Sequence, residues 1–367
     1  MNSINPIPPL IQYIILSLIH QLNGLRSKTG IERLLLGSLA KQTLQDTFIF
    51  RLTAFYGLFD GLEKSVLETY LQSFLMNGYL LVEQEKLILT AAGKKQLDDI
   101  KKQIENNPMQ ENRNKLIIDK KTKMRLKDRL TLLVQSLSYL SQNQKNFVPV
   151  IDQIDAQEWV RKKLLPYDNF KIEKLTHALH YELDQLAAFL DEMEKQLLLY
   201  RFSGSERTAL SWNQLTVYLG LLKEELLIRY NIVLHKIINI VCKNKNQFPL
   251  LHSIFYEDIP IGYLSPSTHR TWNLIKNGKT IEEIVHIRKI KANTIYDHLV
   301  EIIMISPNFD LTPFVEKWKQ KEVITLYDQL GVVSLADYKS RLSQGISYAE
   351  LKLIIIKLLA NEGWGQC

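Results

Sequence analysis

The sequence predicts a mainly α-helical fold in three parts, on three observations. Apolar residues recur at helical spacing through most of the 367 residues. Only one short stretch, around residues 79–89, has the turn-flanked apolar runs of a β-hairpin. Between Ser265 and Ile303, three short helices can be delimited by their own start and stop residues.

In chain order, apolar residues from Leu10 to Leu22 follow a helical period and Asn23-Gly24 supplies the stop. That run contains Gln12, Ser17, His20 and Gln21, lacks a basic leader and is shorter than the roughly 20 residues a membrane helix needs. It reads as a partly buried helix. A second helix is expected from Ile31 to Leu36, before Gly37, and a third from Lys64 to Met76, closed by Asn77-Gly78. Tyr79-Leu80-Leu81-Val82 and Lys86-Leu87-Ile88-Leu89 then flank Glu83-Gln84-Glu85. Helices followed by one hairpin predict a winged-helix-like domain over residues 1–100.

Residues 101–260 read as a basic linker and a helical middle domain, with long helical patterns over Leu175–Tyr200 and Leu210–Val241 and no clear internal repeat. From Arg113 to Arg129, eight Lys/Arg stand against two Asp. One reading is a solvated linker and helix face, the usual role of a charge run. The other is a strip that tracks phosphates between two DNA-binding modules. Phe248–Leu264 looks like a connection into a last domain, 261–367.

In that last domain Ser265-Pro266 opens the first helix, with Trp272 and Ile275 on one face, and Asn277-Gly278 ends it. Thr280 and Glu283 have the spacing of a capping box for a second helix that turns Ile281, Ile284 and Val285 inward. After an interruption at Lys289-Ile290-Lys291, Asn293 is the expected cap of a third helix. Its Ile295, Leu299 and Ile302 form a buried stripe, leaving Thr294, Tyr296, Asp297 and His298 outward. This is the pattern of a helix-turn-helix, in which the second helix of the motif presents its N-terminal part to base edges while basic groups hold phosphates. Lys279, Arg288, Lys289 and Lys291 are the candidate phosphate contacts, and Asn293, Thr294, Tyr296 and His298 the candidate groove-facing residues. Asp297 and Glu301 on the same helix would repel phosphate, or serve a protein-binding surface instead.

Gly278–Ile284 together with Lys291–Leu299 resembles the helix-turn-helix appended to some RecQ-type helicases and ribonuclease D relatives, and Ile346–Leu351 resembles that module's tail. Residues 31–37, Gln42–Asp46, Phe55–Leu58 and Gly78–Leu80 resemble the bacillar YpbB family, whose members are typically encoded beside a RecQ-like helicase. Gly78-Tyr79-Leu80 with Leu89-Thr90 is also similar to the winged helix with which RecQ helicases grip duplex DNA. The resemblance implies a bacterial, cytoplasmic, helicase-associated protein of replication or repair, partnered by duplex or forked DNA and a RecQ-like helicase. The same resemblance leaves open an adaptor with little DNA affinity of its own, and a transcription regulator.

Enzyme chemistry is not expected. Gly278-Lys279-Thr280 ends like a phosphate-binding loop, but the glycine that loop needs is Asn273. Cys242 and Cys367 have no paired spacing, so neither a zinc site nor a disulfide framework is expected. His177 and His180 lack the further ligands of a metal site. Trp272, Phe309 and Trp318 read as core anchors. No catalytic residue, cofactor, metal, membrane or small-molecule substrate is therefore expected. The +7 net charge and pI near 9.1 are too mild to establish nucleic-acid binding.

Overall fold

Nine of the fourteen side chains between Pro9 and Leu22 are apolar and buried, so the first helix, α1 (Pro9–Leu22), is a central core element rather than a surface one. The computed structural model describes residues 6–104, 117–166, 168–256 and 264–362. Around α1 lie α2 (Lys28–Leu35), α3 (Lys41–Ile49), α4 (Lys64–Met76), the hairpin β1 (Leu80–Glu83) and β2 (Lys86–Leu89), and α5 (Ala91–Gln103). The strands pair antiparallel, Leu80 opposite Leu89, and the turn is Gln84-Glu85 alone, both with positive φ, because Glu83 still pairs with Lys86. Helices leading into one small hairpin is the expected winged-helix-like order. The Gly78–Thr90 pairing has a physical reason: the Thr90 hydroxyl donates to the Gly78 carbonyl (2.6 Å), and its oxygen accepts from Gly93 N (3.0 Å). A Cβ on Gly93 would meet the Tyr79 carbonyl at 2.1 Å, so the third residue of α5 has to be a glycine.

The middle of the chain is α6 (Lys120–Ser141), α7 (Ile154–Leu164), α8 (Asn169–Ala187), α9 (Glu192–Leu199), α10 (Trp212–Leu219), α11 (Lys223–Lys243) and α12 (Pro249–Tyr256), around a core of its own. Cys242 is buried on α11, and Cys367 lies outside the described residues.

The basic stretch departs in part from the sequence readings: Lys120 and Lys121 lie on an exposed helix face, as one reading expected, but not all of its cations do. Residues 113–116 lie outside the described residues; from Lys120 the chain is α6, capped by Asp119, and two of its cations point inward. Lys123 is buried, donates to the Gly57 carbonyl (2.7 Å) and to Asn231 Oδ1 (3.3 Å), and pairs with Asp60 at 3.5 Å. Asn231 in turn donates to the carbonyls of Leu58 (3.0 Å) and Asp60 (2.8 Å). Burial lowers the Lys123 pKa to about 8 even with Asp60 beside it. Arg129 is also buried, donating to the Ile254 carbonyl at 3.0 Å and lying 5.0 Å from the Trp159 ring centre. These two cations therefore pin α6 to the N-terminal helices, to α11 and to α12.

The C-terminal helices are α13 (Pro266–Lys276), α14 (Ile281–Arg288), α15 (Ala292–Ile305), α16 (Lys317–Leu330), α17 (Leu335–Lys339) and α18 (Tyr348–Asn361). Their core is continuous with that of the N-terminal helices. Polar contacts cross the same boundary. Arg51 donates to the Tyr327 hydroxyl (2.7 Å) and to Glu362 (2.6 Å), Lys352 reaches Gln45 (3.2 Å), and Lys41 pairs with Glu301 (2.9 Å). No described helix is long and apolar enough to cross a membrane.

Candidate nucleic-acid interface

The three-helix unit forms as its caps dictate. Ser265 caps α13 through Thr268 N (3.1 Å) with Pro266 at the first position, and Gly278 follows the C-cap with φ +75°. Thr280 and Glu283 make the reciprocal capping box of α14. Lys289 then takes a left-handed conformation (φ 53°), and Lys291, not Asn293, is the N-cap of α15. Asn293 already lies inside the helix. The expected stripe is correct: Ile295, Leu299 and Ile302 are fully buried, as is Ile284 on α14.

The eight candidate residues divide. Lys289, Lys291 and Asn293 are exposed at the turn and the first turn of α15, and among the described residues their side chains have no partner. Thr294 is half-buried beside them. Lys279 is half-buried and committed to Glu283 at 2.8 Å, which lowers the Glu283 pKa. Tyr296 is half-buried against the C-terminal core, and burial and the Glu350 charge raise its pKa, so it faces the tail rather than a groove.

His298 and Arg288 are corrections. His298 is 1% exposed, and its Nδ1 lies 2.8 Å from the Thr271 hydroxyl. Burial, helped by the Lys41 charge, lowers its pKa to about 4, so the ring is neutral. Arg288 folds back over α13, donating to the Ser267 carbonyl (2.8 Å), the Ser267 hydroxyl (2.9 Å) and the Thr271 hydroxyl. The cause is the polar inner face of α13, whose Thr268 and Thr271 are both fully buried and need partners. A helical period built on apolar residues passes over such threonines. That face was the missed signal, and it leaves His269, Arg270 and Lys276 on the outside of α13, Lys276 4.8 Å from the Trp272 ring centre.

The two acids of α15 are used internally. Asp297 pairs with Lys352 at 2.7 Å. Glu301 accepts from Thr268 Oγ1 (2.6 Å) and Ser265 N (3.2 Å) and pairs with Lys41. Burial pushes its pKa up, but these hydrogen bonds and the Lys41 charge outweigh that and leave it lowered. Trp272 and Phe309 are packed against the core as expected, whereas Trp318 is 48% exposed and donates to Glu316 at 2.6 Å.

With the geometry in place, comparison with known proteins agrees with it: residues 267–355 match the family model described as a helix-turn-helix domain. Residues 267–355 form a helix-turn-helix domain. The chain is also similar to Protein YpbB of Bacillus subtilis (strain 168), 25% identical over 355 residues, covering 94% of this chain and 96% of the relative. No solved structure matches the chain. Within the helix-turn-helix domain, the end of α15 that such motifs present is the end where Lys289, Lys291 and Asn293 stand clear, while α13, α18 and α3 account for the other sides of the unit.

Proposed function

We propose that this protein is a non-catalytic accessory factor of DNA replication or repair in the bacterial cytoplasm, binding duplex or forked DNA through the turn between α14 and α15 and working with a RecQ-like helicase. The observation that carries the DNA-binding part is the sorting of charge in the helix-turn-helix domain. Its outward cations at the turn are unpaired among the described residues, while Asp297 and Glu301 are neutralised by Lys352 and Lys41. The same engagement weakens the adaptor reading, which needed those two acids as a docking surface. The helicase partnership rests on the resemblance of residues 278–299 and 346–351 to the module appended to RecQ-type helicases.

The test is fluorescence anisotropy of the full chain against single-stranded, duplex and forked DNA at about 50 and 200 mM salt, a range over which phosphate contacts weaken steeply. Binding to duplex or forked DNA that falls with salt and is lost in Lys289→Glu/Lys291→Glu is the expected result. Absence of binding at the lower salt sinks the DNA-binding reading.

A further inference from the structure

The middle of the chain contains a second unit with the geometry of the helix-turn-helix just described. In the C-terminal unit, Thr280 caps eight helical residues, Lys289 is left-handed, Lys291 caps the next helix and α15 starts at Ala292. In the middle unit, Ser211 caps eight helical residues, Gly220 is left-handed (φ 66°), Leu222 caps the next helix and α11 starts at Lys223. The offset is 69 residues throughout. Both first helices open on a capping box, Ser211 with Gln214 and Thr280 with Glu283. The buried positions correspond as well: Leu215 with Ile284, Leu226 with Ile295, Tyr230 with Leu299 and Val233 with Ile302. Not one of the 24 paired positions carries the same residue, which is why the sequence showed no repeat.

The outer faces are chemically opposed. Where the C-terminal turn has Lys289, Lys291 and Asn293, the middle one has Gly220, Leu222 and Glu224, of which the glutamate would repel phosphate; the next residue, Glu225, is buried and paired with Arg229 at 2.7 Å. Around this turn Val217 is 85% exposed and Tyr218 56%, with Leu199 and Leu222 also exposed. The Tyr218 hydroxyl is 2.6 Å from that of Tyr200, and the two rings meet edge to face at 4.7 Å. Arg207, anchored by its bond to the Leu199 carbonyl (2.7 Å), lies 5.6 Å from the Tyr200 ring centre. Glu192 acts on the same tyrosine from the other sign of charge and has only a 3.9 Å contact with Lys195.

An apolar, tyrosine-centred patch flanked by one arginine and one glutamate has the composition of an interface core. Arg207 and Glu192, opposite charges acting on the same Tyr200, give it the charge complementarity to itself that a two-fold contact requires. We propose that the helix-turn-helix at residues 211–234 is the self-association element of this protein and that its occupant is the same face of a second copy. A dimer formed there carries two copies of the C-terminal domain, so the inference extends the DNA-binding reading without depending on it.

The experiment is sedimentation equilibrium of the full chain over about 1–100 μM, the range of ordinary protein self-association, for the wild type and for Val217→Asp/Tyr218→Asp. Both side chains are exposed, so circular dichroism and melting of the double variant should match the wild type. The expected result is a wild-type dimer, twice 42.7 kDa, and a variant whose dissociation constant rises at least about tenfold, as for loss of interface anchors. A monomeric wild type, or a dimer indifferent to the variant, overturns the proposal. So does a variant that keeps the wild-type mass but loses single-stranded DNA binding, since the tyrosines would then be a base-stacking platform. Duplex anisotropy on the variant separates the two readings: retained binding by a monomeric variant leaves the Lys289/Lys291 site standing, and absence of duplex binding in a wild-type dimer leaves this inference standing.

Discussion

Two basic stretches of this chain look alike in sequence and are used in opposite ways. Between residues 117 and 129, Lys123 and Arg129 turn inward and bond to carbonyls contributed by other elements. Between residues 279 and 291, the side chains of Lys289 and Lys291 turn outward and bond to nothing among the described residues. The first stretch is long and regular, so its cations at helical spacing share a face with Leu126, Leu130 and Leu133 and are buried with them. The second is broken by a left-handed residue and a new cap, which hold its two lysines at the turn, away from the stripe. The density of charge is therefore no guide to its role.

The largest effect that separates the two uses is stability. Lys123→Ala leaves the Gly57 carbonyl, Asn231 and Asp60 without their cation in a buried joint, and should cost about 3 kcal/mol or more in urea unfolding. A cost below about 0.5 kcal/mol, the level of an ordinary surface change, would erase the contrast between the stretches.

A somewhat smaller effect is expected from the buried polar side of the C-terminal unit. His298 has a folded-state pKa of about 4, below the unfolded value near 6.5. The unfolded chain therefore binds the proton first as pH falls. Stability is full above about 6.5 and is lost toward 4, by up to about 3 kcal/mol from this ring. His235, buried beside Lys123 and with its pKa lowered by burial, adds to the same slope. His298→Gln should flatten the fall in melting temperature between pH 7 and pH 5; an unchanged slope would place the ring in water. The smallest effect is for Lys289→Ala/Lys291→Ala, where melting should shift by no more than the equivalent of about 0.5 kcal/mol, since neither side chain supports the fold. A larger loss would make these lysines structural, like Lys123.

Much of the fold was legible because its start and stop signals are local. Ser265-Pro266, Asn277-Gly278 and the Thr280–Glu283 box bound their helices from within a few residues, and Tyr79–Leu89 declares its hairpin the same way. Of the site, Lys289, Lys291 and Asn293 were legible because turn and cap place them outside whatever the neighbours do. His298 and Tyr296 were not, since each was assigned from the apolar period of its own helix, and Arg288 was not, since it was assigned by its charge alone.

By itself, then, the sequence determined the helical class, the single hairpin, the capped three-helix unit and the buried stripe Ile295–Leu299–Ile302, all products of spacing along one chain. The tertiary structure alone decided how many neighbours each helix has. Packing of α15 against α13 and α18, with α3 reached through Lys41, turned His298 into a core residue and paired Asp297 and Glu301. The same holds for Lys123, whose partners at Gly57 and Asn231 are 66 and 108 residues away along the chain. A periodic pattern says which side of a helix prefers burial; only the assembled fold says how many sides are covered.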